Sequence, residues 1–304
     1  MLVGQQCEQG VNANDASQAY DTYVEPLRKN TNHYPALIGV DYGSYGNTDL
    51  NFINQTAIRH WKKGGLVTIH WGADNPFQDG PYNCRLNSIV FAKFIDFKKL
   101  LKNAPDSKEK ASYRAELLKV GRALQQLKKA GVTVLWRPFH EMNGPWFWWC
   151  VNDREQPTNK NDFVLLWRDM YNYFTNDLKL DNLIWVYSPN ASDKNTASVL
   201  VDYPGANYVD IIGVDIYDDK QQFKDYDALK TLNKPIVIPE LGPRLQKVCG
   251  GNYDEINIIK TFKGKAAYFL QWASWTDSKV AIIDNPRYKD MMNDRSIVTL
   301  EKLK

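Results

Sequence analysis

The chain has 304 residues, of which 43% are apolar and 24% are charged, as in an ordinary folded protein. Its formal net charge of +3 is spread without a basic run, which gives no reason to expect nucleic acid or an anionic membrane surface as a partner. No segment approaches 18 consecutive apolar residues, so the sequence predicts no membrane span.

The first ten residues contain neither the basic region nor the apolar stretch of a secretory signal peptide. We nevertheless expect a secreted, monomeric protein whose signal peptide is absent from this sequence.

Short apolar runs alternate with longer segments of helical period, the pattern of repeated βα units. The eight runs are 2–5, 35–41, 66–71, 132–137, 183–188, 209–216, 235–239 and 266–272. Helices are predicted at 88–102, 108–129 and 162–176. The sequence therefore predicts an α/β fold in one domain, built on parallel strands.

Polar and aromatic residues close the third run. His70 and Trp71 end it, and Asp74 and Asn75 follow directly. Functional residues of parallel α/β barrels lie at the carboxyl ends of the strands. These four residues are therefore candidate ligand contacts.

The fourth run ends abruptly in charged and polar residues. Arg137, His140 and Glu141 are followed by the aromatic residues Trp146 and Trp149. A carboxylic acid among indole rings loses hydration, which raises its pKa and suits it to donate a proton at neutral pH. The alternative is a buried glutamate that pairs with Arg137 for structure alone.

Later runs end in further candidates. Period two sends Asp215 and Tyr217 to the same side of the sixth strand, Glu240 ends the seventh run, and Trp272 ends the eighth. Two carboxylates from different strand ends, converging on an aromatic cleft, are the equipment of glycoside hydrolysis.

At this point a resemblance becomes visible. The segments GGLVTIHWGADNPF, RPFHEMNGPWFWW, LIWVYSPNA, YVDIIGVDIY and PELGPR occur in this order in the β-mannanases of glycoside hydrolase family 26, which this chain resembles over nearly its whole length. The resemblance implies a (β/α)8 TIM barrel, a retaining mechanism and β-mannan substrates. It assigns Glu141 as acid/base and Glu240 as nucleophile, with His70, Arg137, His140, Trp146, Asp215, Tyr217 and Trp272 as supporting residues.

Other functions stay open at this stage. Relatives in the same family cleave mixed-linkage β-glucan or β-1,3-xylan with the same two carboxylates, and a polysaccharide-binding protein could keep the cleft without catalysis. A metal is not expected, because the His–Glu spacing matches no H-E-x-x-H helix. No nucleotide-binding glycine loop occurs either, so we expect no cofactor.

The four cysteines each follow a predicted strand end. We expect disulfides between Cys84 and Cys150 and between Cys7 and Cys249, because these pairs fall on adjacent loops. Four free buried thiols are the alternative, since cysteine is among the most buried residue types.

Two segments fit the N-x-S/T glycosylation pattern, at Asn54 and Asn190. They are relevant only if a eukaryotic secretory cell makes the protein.

Overall fold

A computed structural model describes residues 1–7, 16–43, 49–78, 84–85, 95–151, 161–244, 249–275 and 277–303. Within them, parallel strands form a single sheet in the order β6-β5-β4-β3-β2-β1-β9-β8-β7. The strands are β1 (Leu2–Gln6), β2 (Leu37–Tyr42), β3 (Leu66–Trp71), β4 (Val134–Pro138), β5 (Leu183–Tyr187), β6 (Ile211–Gly213), β7 (Ile216–Tyr217), β8 (Ile236–Gly242) and β9 (Tyr268–Gln271). Pairing of β6 with β8 closes the sheet into a barrel.

Helices connect the strands around the outside. They are α1 (Ala16–Ala19), α2 (Glu25–Thr31), α3 (Leu50–Lys62), α4 (Lys108–Lys129), α5 (Asp162–Asn172), α6 (Tyr226–Lys230), α7 (Glu255–Phe262) and α8 (Tyr288–Asn293). Across the described ranges, no helix has both the length and the hydropathy to cross a bilayer.

The predicted (β/α)8 TIM barrel is confirmed, with two local differences. The predicted sixth strand, 209–216, is split into β6 and β7, which together fill one place in the barrel. Part of the predicted helix 88–102 lies outside the described residues. Its remainder contains only a short 3-10 helix, Phe97–Leu100.

The barrel interior changes from apolar to polar along each strand. Its apolar layer contains Leu37, Leu135, Val186, Val237, Tyr268 and Leu270. Alternate residues of a strand face the same side, so Asp41 points inward like Leu37, and Arg137 points inward like Leu135. Asp41 pairs in register with His70, and His70 pairs with Arg137. A polar layer therefore lies at the carboxyl ends of the strands, where barrel enzymes hold their sites.

Strand β8 is irregular where it carries Glu240. Pro239 has no N–H to donate to a neighbouring strand, and the register between β8 and β9 shifts between Ile238 and Leu241. Gly213 lies opposite, and any Cβ at that position would clash with the Pro239 ring. Such irregularities re-aim side chains, so we attribute the inward direction of Glu240 to this bulge.

The predicted disulfides are wrong, because Cys7, Cys84, Cys150 and Cys249 are all free and buried. Two of the thiols contact nearby backbone instead. The Cys150 thiol donates to the carbonyl of Glu141 at 3.4 Å, and the Cys7 thiol lies 3.9 Å from the carbonyl of Gln5.

The first glycosylation pattern lies in the core. Asn54 is fully buried, and its amide donates to the carbonyl of Ala123 at 2.9 Å and to Oε1 of Gln126 at 2.7 Å. A glycan on Asn54 is therefore incompatible with the folded barrel.

We expect denatured protein to titrate four thiols per chain without any reductant, and dithiothreitol to leave the melting temperature unchanged. The native protein should react slowly, because burial raises the pKa of Cys84 to about 12 and the thiolate is the reactive form. Titration with Ellman's reagent, before and after prior reduction, measures this. If two or four thiols react only after reduction, the protein contains disulfides and the four cysteines are not free.

Candidate active site

Glu141 stands on a strained turn rather than on a strand. β4 ends at Pro138, and Phe139 and Glu141 then adopt left-handed backbone angles, with φ of 49° and 53°. Such angles cost free energy for residues with a side chain and cluster at functional sites. The backbone N–H of Glu141 donates to the carbonyl of Ser188 at 2.7 Å, which fixes the turn against the end of β5.

Two N–H groups hold the carboxyl of Glu141. The indole of Trp146 donates to Oε2 at 2.6 Å, and the amide of Asn190 donates to Oε1 at 3.2 Å. The Trp146 ring lies so close to Gly144 that a Cβ there would clash with it. The glycine therefore allows the indole to reach the carboxyl.

The surroundings of Glu141 favour its protonated form. Burial, and next the charge of Glu240, raise the pKa of Glu141 from 4.5 to about 8, although Trp146 and Arg137 oppose the shift. This acid therefore holds its proton at neutral pH, as a general acid must.

Glu240 has the opposite surroundings. Arg137 donates from Nη2 to Oε1 at 2.5 Å, and the Tyr217 hydroxyl donates to Oε2 at 2.9 Å. Hydrogen bonds and a guanidinium charge stabilise the ionised form of a carboxylate. Glu240 is buried, and each of its two oxygens accepts a hydrogen bond.

Arg137 binds a second carboxylate, Asp215, in addition to Glu240. Its Nη1 donates to Oδ2 of Asp215 at 2.9 Å, and the Ser188 hydroxyl donates to Oδ1 of Asp215 at 2.6 Å. Arg137 is 1% exposed and Asp215 is fully buried. Burial raises the pKa of Asp215 well above its ordinary value, and the charge of Arg137 opposes that rise.

Three carboxylates meet here. Glu141, Asp215 and Glu240 each place one oxygen within 4.8 Å of the other two. Such a group could in principle ligate a divalent cation. Because Arg137 already donates to both Asp215 and Glu240, a guanidinium supplies the positive charge that a metal would otherwise provide.

His70 and His140 lie next to each other at the carboxyl ends of the strands. The His70 ring lies 5.3 Å from that of His140 and 5.2 Å from that of Trp272, and its Nε2 is 3.0 Å from Oδ1 of the buried Asp41. Burial, and next Arg137, lower the pKa of His140 well below its ordinary value, so this imidazole is neutral.

Two predicted cleft residues do not reach the cleft. Trp71 is fully buried and packs on Trp136 and Phe139, with ring centroids 6.2 and 5.4 Å away. Trp149 is also fully buried, and its indole donates to the carbonyl of His140 at 2.8 Å. Both were predicted as substrate contacts, and both instead pack behind the residues that face the cleft.

The contacts described for Asp74 and Asn75 lie within their own loop and toward α4. Asn75 is 3% exposed and its Oδ1 accepts the backbone N–H of Phe77 at 3.0 Å, which folds its own loop. Asp74 lies close enough to Glu116 on α4 to raise the pKa of that carboxyl, although burial is the larger cause.

Sequence reasoning missed Asn190, Ser188 and Asp41. Asn190 was noticed only as a glycosylation pattern, although it follows directly after β5 and Pro189. Ser188 and Asp41 are polar residues at the ends of apolar strands, and the alternation of inward positions was the signal that could have found them.

Known proteins resemble this chain over most of its length. The model of the family described as glycosyl hydrolase family 26 matches residues 1–301. A mannan endo-1,4-beta-mannosidase of Bacillus subtilis strain 168 is 35% identical over 272 residues, which are 84% of this chain and 71% of that protein.

The chain covers different shares of two further similar proteins. The mannan endo-1,4-beta-mannosidase A and B of Caldalkalibacillus mannanilyticus is 35% identical over 89% of this chain, but the chain spans only about half, 52%, of that relative. The solved structure of the Bacillus subtilis mannanase BCman superposes with a TM-score of 0.81 at 29% identity, covering 98% of this chain and 86% of that one.

We expect Glu141→Gln to stabilise the protein at pH 8 by about 3 kcal/mol more than at pH 5. The folded-state pKa of about 8 lies above the ordinary 4.5, so the native protein retains a proton that the unfolded chain releases, and wild-type stability falls as pH rises through this window. Glutamine has no proton to lose. Urea unfolding at both pH values measures the difference.

Asp106→Asn is the matched control, because it removes one carboxylate whose side chain is fully exposed, 102%. The control should show no comparable divergence between the two pH values. If Glu141→Gln and Asp106→Asn respond alike, the burial of Glu141 does not penalise its charge.

Proposed function

Because the chain belongs to glycosyl hydrolase family 26, we propose that it hydrolyses β-1,4-mannosidic linkages within mannan, glucomannan or galactomannan, with retention of anomeric configuration. The observation that supports retention is the spacing of at most 4.8 Å between oxygens of Glu141 and Glu240. Retaining enzymes place their carboxyl groups roughly 5–5.5 Å apart, whereas inverting enzymes need about 6.5–9.5 Å to admit a water.

The different surroundings of the two glutamates support the following roles. Glu240, ionised between Arg137 and Tyr217, attacks the anomeric carbon. Glu141, protonated by its burial, gives its proton to the glycosidic oxygen as the C–O bond breaks. The sugar is then an ester of Glu240, and the departed chain carries the proton.

The second step reverses these roles. Glu141, now ionised, takes a proton from water as the water oxygen attacks the anomeric carbon, and Glu240 leaves as a carboxylate. Loss of the Glu240 charge in the ester removes the second-largest cause of the raised pKa of Glu141. The same side chain can therefore act first as acid and then as base.

The names of the relatives support mannan as the substrate class. We propose that His70, Trp146 and Trp272 contact the sugar. Trp146 donates to Glu141, His70 pairs in register with Arg137, and Trp272 packs on His70. Release of reducing sugar from glucomannan, compared with barley β-glucan and β-1,3-xylan, separates mannanase from the two related specificities. EDTA should leave the rate unchanged.

We also propose that the protein acts outside the cell and as a monomer. Polysaccharides do not cross membranes, and both glutamates with their hydrogen-bond partners come from one chain.

We expect proton NMR of the first product from mannohexaose to show the β anomer before mutarotation, because two displacements at one carbon restore its configuration. The time course within the first minutes measures it. An initial α anomer would mean inversion and would remove the nucleophilic role of Glu240.

We expect Glu141→Ala to lose roughly 10²–10⁴-fold in activity on mannan and far less on aryl mannosides with good leaving groups, which need no proton. Azide should then restore turnover and give a β-mannosyl azide, since it replaces water at the glycosyl-enzyme. Glu240→Ala is the matched comparison and should be slow on both substrates. Equal loss on both substrates in Glu141→Ala would contradict its role as acid.

A further inference from the structure

Asn190 holds the oxygen of Glu141 that Trp146 leaves free. The two donors are unequal, with the indole nitrogen 2.6 Å from Oε2 and the amide nitrogen 3.2 Å from Oε1. The short bond fixes Oε2. Asn190 holds Oε1 by the longer bond.

The side chain of Asn143 binds both backbone groups of Asn190. Oδ1 of Asn143 accepts the backbone N–H of Asn190 at 2.8 Å, and Nδ2 of Asn143 donates to the carbonyl of Asn190 at 2.9 Å. Nδ2 of Asn143 also donates to the carbonyl of Ala197 at 3.0 Å. Asn143 is fully buried and lies two residues after Glu141. The turn that carries the acid thus also sets the position of its partner.

This arrangement has a chemical use, given that the site works by double displacement as proposed above. We propose that Asn190 is a positioning residue, which donates its amide N–H to Oε1 and so stabilises the ionised Glu141 of the glycosyl-enzyme. Burial works against that ionised state, and it must persist until water attacks. Trp146 supports one oxygen of the carboxylate, and Asn190 supports the other.

The charged and titratable groups around Glu141 set the background for this contribution. Nearby carboxylates raise the pKa of Glu141 and nearby cations lower it. A tyrosine and a cysteine also lie close enough to interact with its charge. From the packed elements these groups are Glu240, Asp215, Arg137, Arg85, Tyr217 and Cys150. Asn190 adds to this background an uncharged donor that is bonded directly to Oε1.

We expect Asn190→Ala to move the alkaline limb of the kcat/KM profile upward by roughly half to one pH unit, because the free carboxylate loses one hydrogen-bond donor. On an aryl mannoside with a good leaving group, the second step should slow about tenfold. The phenol should then appear as a burst, and kcat and KM should fall together because the glycosyl-enzyme accumulates.

Asn190→Ser keeps a short donor and should recover part of both effects. Asn195→Ala, at an exposed position on the same loop, is the matched control and should match the wild type. Thermal unfolding of each variant checks that it is folded. An unmoved alkaline limb without a burst in folded Asn190→Ala, or the same changes in Asn195→Ala, would overturn the role of Asn190. Failure of the proposed function would appear separately, as a wild type without mannan hydrolysis or without retention.

Discussion

The pairing of the buried Arg137 guanidinium with two carboxylates is the interaction on which the rest of the site depends. It pairs with Asp215 and Glu240 inside the barrel, and removing one member of such a set leaves an uncompensated charge at a cost of several kcal/mol, about 3–5. Burial is the largest cause of the lowered pKa of His140, and Arg137 is the next. Arg137 also opposes the rise that burial and Glu240 cause in the pKa of Glu141.

The barrel departs from regular geometry at the two places that carry the glutamates. Glu141 has a left-handed backbone directly after β4, and Glu240 lies within the register shift between β8 and β9. Regular strands would direct side chains alternately inward and outward, so a residue that follows an inward one would point away. The left-handed turn and the bulge bring both carboxyl groups into one space. Surrounding hydrogen bonds, including the Glu141–Ser188 backbone bond, stabilise these irregular backbone conformations.

The sequence allowed the strands to be predicted, and with them the location of Glu141 and Glu240 at two strand ends, because apolar runs that stop at charged residues mark buried strand ends. The catalytic roles of the two glutamates remain a proposal. It failed for Trp71 and Trp149, since an aromatic residue after a strand suits the core behind the sheet as well as the cleft. It also failed for the cysteines, because loops that are adjacent in the barrel order need not bring two sulfur atoms together. Asn190 was missed because its role depends on Asn143, a contact between two loops that no local pattern encodes.

The central claim is that Glu240 forms a covalent bond to the sugar while Glu141 does not. A 2-deoxy-2-fluoro mannosyl fluoride tests it most directly, because the 2-fluorine slows both steps and the fluoride leaving group allows the ester to accumulate. The protein should gain the mass of one fluorosugar, and fragmentation of its peptides should place the label on Glu240. A label on Glu141 or Asp215, or turnover without any adduct, would contradict the assignment.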